Sequence, residues 1–394
     1  MYKRAYYHQL RKRIDEPRRF IQVLTGPRQV GKTTLINQLL DEHKIPSIYE
    51  SADGQFDNTG LWISNVWERA RLQLRSKGYS EILLCLDEVQ KIPQWSEHVK
   101  REWDHDTKEK YQIKVVLLGS SRLLLQEGLT ESLAGRYETI LMSHWKYAEM
   151  KMAFGMKPEE FVFFGGYPGA VDLIEDEERW KNYIRDSLLE TAISRDIFMM
   201  KRINKPALLK RLFELAALYS GQIISYTKML GQLQDAGNTV TLAHYLELID
   251  IAGLIKGINK FSIQPFRQRA SSPKFQVYNT AISCSYSVES FMSVRENPEL
   301  WGRLVESSVG AHLLNHMSES GFKVFYWRDR SREVDFILKK DKKLIAIEVK
   351  SGRQKPVKGL EEFSKLYKPE KSLIVGSGGI PWSEFLETDP GDLF

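Results

Sequence analysis

Cysteine is almost missing from this chain. Cys85 sits inside an apolar run, and Cys284 lies far from it in sequence. Two such residues make neither a disulfide framework nor a thiolate metal site, and they fit a reducing cytoplasm. Long apolar runs are missing as well: no stretch approaches the roughly 18–20 residues that cross a bilayer, so no membrane partner is expected. The opening "MYKRAYYHQLRKRIDEPRRF" is basic but lacks the apolar stretch of a secretory leader. It predicts a charged helix leading into a first strand. A bias toward disorder is lacking too, with 42% apolar and 27% charged residues in 394. That length suits two to four domains.

Positive charge is present but uneven. The formal net charge is +6, yet Arg195 to Lys274 alone holds twelve Lys/Arg against five Asp/Glu, an excess of about seven. Such a run is either a solvated face or the footprint of a polyanion, and the pattern of elements beneath it has to decide.

The strongest local pattern lies near the start. "FIQVLTGPRQVGKTTLINQLL" sets a β-rich run, Phe20 to Leu24, before G-x-x-x-x-G-K-T and an apolar-periodic helix. This is a phosphate-binding loop in its confirming context. Gly26, Pro27, Arg28, Gln29, Val30, Gly31, Lys32, Thr33 and Thr34 would wrap the phosphates of ATP with backbone N–H groups and the helix N-terminus. Lys32 would reach the β- and γ-phosphates, and the Thr33 hydroxyl would ligate Mg²⁺. "EILLCLDEVQ" supplies a buried strand ending in acid: Asp87 to hold Mg²⁺ through water, and Glu88 to polarise the attacking water. A third run, "IKVVLLGSS", ends where Ser120 could sense the γ-phosphate. The pattern predicts a doubly wound parallel sheet with its ligand at the carboxyl edge. Arg136, in "ESLAGRYE", stands either as an arginine finger, in cis or in trans, or as a structural arginine capping a helix or pairing with Glu131. His98 and His105 lie seven residues apart without acid partners at ligand spacing. They read as part of a solvated helix that packs Trp95 and Trp103 inward.

"FVFFGGYPGAVDL" is a turn cluster, and helical stretches follow it, read either as a lid that senses nucleotide or as a plain linker bundle. Within "SYTKMLGQLQDAGNTVTLAHYLELIDIAGLIKGINK", Ser225 caps a helix Tyr226–Leu233 and residues 235–238 make a tight turn. Thr241 then starts a second amphipathic helix, and "GLIKGI" suits a short strand. Helix, turn, helix and wing inside the basic segment read as a winged helix-turn-helix. Duplex DNA is the expected partner, held mainly through phosphates, with a dimerisation or scaffold role as the alternative.

In the last segment, "WGRLVESSVGAHLLNHM" is a helix carrying Glu306. "KVFYWRD" and "EVDFILKK" are strands joined by a tight turn at Arg330-Ser331, and "KLIAIEVKSG" is a third strand. Period 2 puts Glu348 and Lys350 on one face. Asp335 and Glu348, with Glu306 as a third acid, suit Mg²⁺ in phosphodiester cleavage, and Lys350 suits the developing negative charge. A salt bridge at the sheet edge is the plainer reading. Helix-Glu, strand-Asp, strand-Glu-x-Lys is the order of the restriction-endonuclease-like core.

With these motifs in view, the whole chain resembles a prokaryotic family of AAA+-superfamily ATPases that carry a C-terminal domain of unknown function. "GPRQVGKTTL", "LDEVQKIPQW", "GSSRLLL", "SLAGRYE" and "GGYPGAV" look like that family's N-terminal motifs. "YLELIDIAGLI", "SSPKFQVYNTAI" and "VDF…IAIEVKSG" look like its C-terminal half. The resemblance implies ATP binding with hydrolysis, a winged helix and a nuclease-like terminal fold. Asn279, in "VYNTAI", departs from it, standing where the family has an acid. The expected α/β organisation is an AAA+-like P-loop domain at 1–155 and a helical lid or linker at 156–205. A winged helix-turn-helix follows at 206–275, and a small α/β restriction-endonuclease-like domain at 276–394. The leading reading is a Mg²⁺-dependent ATPase that couples nucleotide state to a DNA-binding, nuclease-like C-terminal half. The alternative is an ATP-dependent switch or scaffold for a protein partner with an inactive nuclease-like domain. A homo-oligomer stays open under both.

Overall fold

A computed structural model describes residues 1–54, 60–119, 128–129, 132–198, 203–233, 238–264, 271–352 and 357–394, with the side chains of 195 and 196 left aside. The chain forms two compact units, Met1–Met142 and Ser143–Phe394. Each is described by itself.

The first unit is built on five parallel strands: β1 (Ile21–Thr25), β2 (Ser47–Ser51), β3 (Ile82–Asp87), β4 (Ile113–Gly119) and β5 (Tyr137–Leu141). They lie in the order β2-β3-β4-β1-β5. Strands β1, β3 and β4 are buried along their whole length. Their apolar runs are therefore continuous rather than alternating, as strands covered on both faces require. Helices α1 (Ala5–Asp15) and α2 (Lys32–Glu42) supply Tyr7, Leu10, Leu35 and Ile36 to the core shared with Leu24, Cys85 and Val116. Helices α3 (Leu61–Lys77) and α4 (Trp95–Glu109) supply Trp67, Trp95, Val99 and Trp103 to the core shared with Val23, Leu84 and Leu117. Both tryptophans of α4 are buried and His105 is exposed, as the sequence implied. The buried Asp106 carboxylate fastens α4 to α3, accepting from Trp67 Nε1 at 2.6 Å and from Arg71 Nε at 2.7 Å.

The sequence expected the first domain to continue to 155. The helix Tyr147–Phe154 instead belongs to the second unit, where Tyr147 packs on Phe161 of the helix Pro158–Phe164 with ring centres 5.4 Å apart. Irregular helical turns of wide pitch then run over Tyr183–Leu189 and Ala192–Ile197. Helices Pro206–Leu218, Tyr226–Gln232 and Thr239–Ile251 precede an antiparallel pair, β6 (Ile255–Ile258) and β7 (Lys274–Val277). Ser225 caps the helix Tyr226–Gln232 by accepting from Lys228 N.

A second sheet closes the chain. After the long helix Pro298–Ser320 come β8 (Lys323–Asp329), β9 (Arg332–Lys340) and β10 (Lys343–Lys350), then the helix Lys358–Tyr367 and β11 (Lys371–Gly376). The strand order is β11-β10-β9-β8, parallel between β10 and β11 and antiparallel elsewhere. Phe325, Trp327, Ile337, Ala346, Leu360 and Phe363 fill the core on one side of this sheet. No described helix is long and apolar enough to cross a membrane.

Candidate functional site

The phosphate-binding loop leaves β1 and enters α2. Gly26 is there because nothing larger fits: a Cβ would stand 2.4 Å from the Met142 carbonyl oxygen. Gly31, at φ 90°, turns the chain into α2. The buried Arg4 donates to the Val30 carbonyl at 3.1 Å and holds the loop from α1's side. Lys32 is buried, and its Nζ donates to the carbonyls of Gly26 and Pro27 at 2.9 and 2.8 Å, so the ammonium is curled inside its own loop. Thr33 and Thr34 face outward.

At the end of β3, Asp87 is held from three directions. Its Oδ1 accepts from Glu88 N at 2.9 Å, and its Oδ2 accepts from Tyr49 Oη at 2.6 Å and from Thr33 Oγ1 at 3.3 Å. The structure therefore brings Lys32, Thr33 and Asp87 to one carboxyl edge, as the sequence expected. Tyr49 on β2 is an addition the sequence reading missed. Burial and the Asp87 carboxylate push its phenol upward, so it stays a donor. Glu88 adopts a left-handed backbone at φ 53°, and its Oε2 accepts from Gln90 Nε2 at 2.7 Å. Arg136 forks onto Asp104 of α4, Nε to Oδ1 at 2.7 Å and Nη2 to Oδ2 at 3.0 Å. Ser120 and Glu131 lie outside the described residues.

A second constellation forms where the helix Pro298–Ser320, β7, β9 and β10 meet. Glu306, Asp335, Glu348 and Lys350 converge here, with one member the sequence did not single out. Lys274, counted only as part of the basic excess, is fully buried. Its Nζ lies 2.6 Å from Glu306 Oε1, 3.3 Å from the Asp335 carbonyl oxygen, 3.7 Å from Asp335 Oδ1 and 3.9 Å from Glu333 Oε1. Burial alone would lower its pKa, but Glu306, Asp335 and Glu333 together hold it raised, so it stays charged. Asp335 Oδ2 accepts from Val349 N at 2.8 Å, and Lys350 Nζ donates to Glu348 Oε1 at 2.5 Å. Burial and the Asp335 charge push both Glu306 and Glu348 upward. The only signal for Lys274 in the sequence was a polar residue in a short strand, "KFQV", that turns out to be buried throughout.

The residues of both places suit Mg²⁺. No three His, Cys, Asp or Glu side chains among the described residues form a ready-made metal cage. Mg²⁺ does not ask for one, since it takes one or two carboxylates and fills its shell with water and substrate phosphate. Thr33 with Asp87 meets that description. So does Asp335 with Glu348, whose buried Oε2 has no hydrogen-bond partner among the described residues.

Part of the basic segment's charge is already paired. Besides Lys274, Lys210 pairs with Glu190 and Lys256 with Asp250, at 2.5 and 2.6 Å. Arg267 and Arg269 lie outside the described residues. Asn279, where the resemblance had an acid, joins two turns: its Oδ1 accepts from Ala281 N and from Gly166 N, each at 3.1 Å.

Strand order and loop define a P-loop nucleotide-binding domain, and the comparisons agree. Residues 18–151 match the model of the AAA domain family, residues 157–290 a domain of unknown function (DUF8612), and residues 301–381 another domain of unknown function (DUF4143). The AAA match thus covers the P-loop unit and stands ahead of two matches to domains of unknown function. It is similar to an uncharacterized protein of Mycobacterium tuberculosis, 24% identical over 84% of this chain and 70% of that one. It is also similar to one of Methanocaldococcus jannaschii, 24% identical over 98% and 89%. Among solved structures, AMPPCP-bound DnaA from Aquifex aeolicus is 14% identical over 63% of this chain and 87% of that one, with a TM-score of 0.34. The Thermotoga maritima RuvB Holliday junction branch migration motor is 13% identical over 64% and 85%, with a TM-score of 0.32.

Proposed function

We propose that the chain is a Mg²⁺-dependent ATPase whose nucleotide state governs a nucleic-acid-handling C-terminal half with a restriction-endonuclease-like site. The observation that carries this reading is the meeting of Lys32, Thr33 and Asp87, with Glu88 next in the chain, at the carboxyl edge of a parallel sheet. Lys32 leaves the Gly26 and Pro27 carbonyls for the β- and γ-phosphates, exchanging neutral acceptors for charged ones. Thr33 and Asp87 would hold Mg²⁺, which would screen the phosphate charge. Glu88, released from Gln90, accepts a proton from the attacking water. Arg136, held by Asp104, takes no step in cis in this reading.

In the second unit, the helices between Pro206 and Ile251 with the β6-β7 pair suit a winged helix-turn-helix on duplex phosphates. Helix, three strands, helix and strand, with Asp335, Glu348 and Lys350 together, suit a restriction-endonuclease-like core. A divalent ion there would be held by Asp335 and Glu348 and would activate water and stabilise the leaving oxygen. A scaffold for a protein partner is the second reading, favoured by the pairing of Lys210, Lys256 and Lys274 with acids.

ATP turnover with and without duplex DNA tests the proposal. Lys32→Ala should weaken triphosphate binding, whereas Glu88→Gln should keep binding and slow hydrolysis. Equal turnover by wild type and Glu88→Gln would remove that glutamate from the mechanism.

A further inference from the structure

The Lys274 ammonium does not line a surface. It sits in a cage of four oxygens, three carboxylate and one carbonyl, between 2.6 and 3.9 Å away. That donor set is what a hard cation prefers. Glu306 spends its Oε1 on this lysine. On the other side of Asp335, Glu348 Oε1 is met by Lys350, while Glu348 Oε2 is buried with no hydrogen-bond partner among the described residues. The cluster therefore has two unlike halves. On the Glu306 side the cation position is filled by the protein itself. On the Glu348 side a buried carboxylate oxygen waits for a donor or an ion, and an unmade contact of that kind is costly.

Charge counting points the same way. Glu333 also lies 4.0 Å from Arg328, which leaves Glu306, Asp335 and Glu348 against Lys274 and Lys350. Three carboxyls facing two ammoniums bring at most one surplus negative charge, so one divalent ion leaves little excess. A second would leave a buried surplus of three, and uncompensated buried charge is strongly disfavoured.

We propose that Lys274 is a resident cation filling one of two cation positions in this cluster, so that the C-terminal site takes a single divalent ion, at Asp335 and Glu348. Lys274 is thus a positioning residue: it neutralises Glu306, holds the Asp335 carbonyl and ties β7 to the sheet that carries the site. The inference rests on the nuclease-like reading of Asp335 and Glu348, and its test separates the two.

Bound Mn²⁺ is counted by electron paramagnetic resonance on the full chain without nucleotide. Asp335→Asn should bind one ion fewer than wild type, and Glu306→Gln should bind the same number as wild type. Lys274→Met should bind one more. Should that variant fail to fold, Glu306→Gln decides alone. A loss of two ions in Asp335→Asn, or of one in Glu306→Gln, would put a metal on the Glu306 side and overturn the resident-cation proposal while sparing the nuclease-like reading. No loss in Asp335→Asn would remove the metal from the site and overturn both.

Discussion

Replacing Tyr49 with Phe takes away one hydrogen bond and very little volume. The phenol donates to Asp87 Oδ2 at 2.6 Å, the shortest of that carboxylate's contacts, while Thr33 Oγ1 at 3.3 Å and Glu88 N at 2.9 Å remain. A hydrogen bond to a charged acceptor contributes about 1.5–3 kcal/mol, which is roughly 10–100-fold in an equilibrium constant. Groups that orient a metal-binding carboxylate change metal affinity by a similar factor, about 10–100-fold, when removed. Because two donors still hold Asp87, the low end is expected. The assay is steady-state ATP hydrolysis against Mg²⁺ at saturating ATP, with a melting curve as control for folding. Tyr49→Phe should raise the half-saturating Mg²⁺ by about tenfold and leave kcat at saturating Mg²⁺ within about twofold. Superimposable Mg²⁺ curves would refute the reasoning. So would a collapse of kcat at an unchanged Mg²⁺ midpoint, since Tyr49 would then act on something other than the ion.

Two further outcomes follow from the second unit. Duplex binding should fall with salt by about 0.9 in log–log slope for each phosphate contacted, and Arg267→Glu with Arg269→Glu should lower the slope for all sequences alike. Binding untouched by those changes in a folded protein would favour the scaffold reading. Gly165→Ala should destabilise the protein. The position has φ 68° and ψ −163°, and an added Cβ would stand 1.9 Å from Asn279 Oδ1. Backbone strain of that kind costs about 1–3 kcal/mol before the clash is counted. An unchanged melting temperature would show that the Asn279 bridge is dispensable.

What was legible in the sequence was what depends on neighbours along the chain. The loop from Gly26 to Thr34, the buried run ending at Asp87 and the Ser225 cap are all local patterns, and each lies where its residues placed it. One boundary moved for an equally local reason. The helix expected from Thr241 begins at Thr239, because Asn238 accepts from Thr241 N and opens the first turn two residues earlier. Tyr49 and Lys274 were not legible, because their roles come from partners far away in sequence: Asp87 for the first, Glu306, Glu333 and Asp335 for the second. A charge count registers Lys274 as basic surface, and only the packing turns it inward.

Two of the buried lysines, Lys32 and Lys274, differ in the partners they rest on. Lys32 Nζ donates to the Gly26 and Pro27 carbonyls. A triphosphate offers it charged oxygens, and bonds between ionised partners are roughly twice as strong as neutral ones, so the ligand can draw it out of its loop. Lys274 rests on carboxylates and is wholly buried. Leaving would take a buried ammonium from its only charged partners among the described residues, half-buried Glu306 and Glu333 and buried Asp335, and another cation would have to take its place. On the proposed reading the partners of each ammonium decide its part: a triphosphate would draw Lys32 out of its loop, and Lys274 would stay as a fixed element of its cluster.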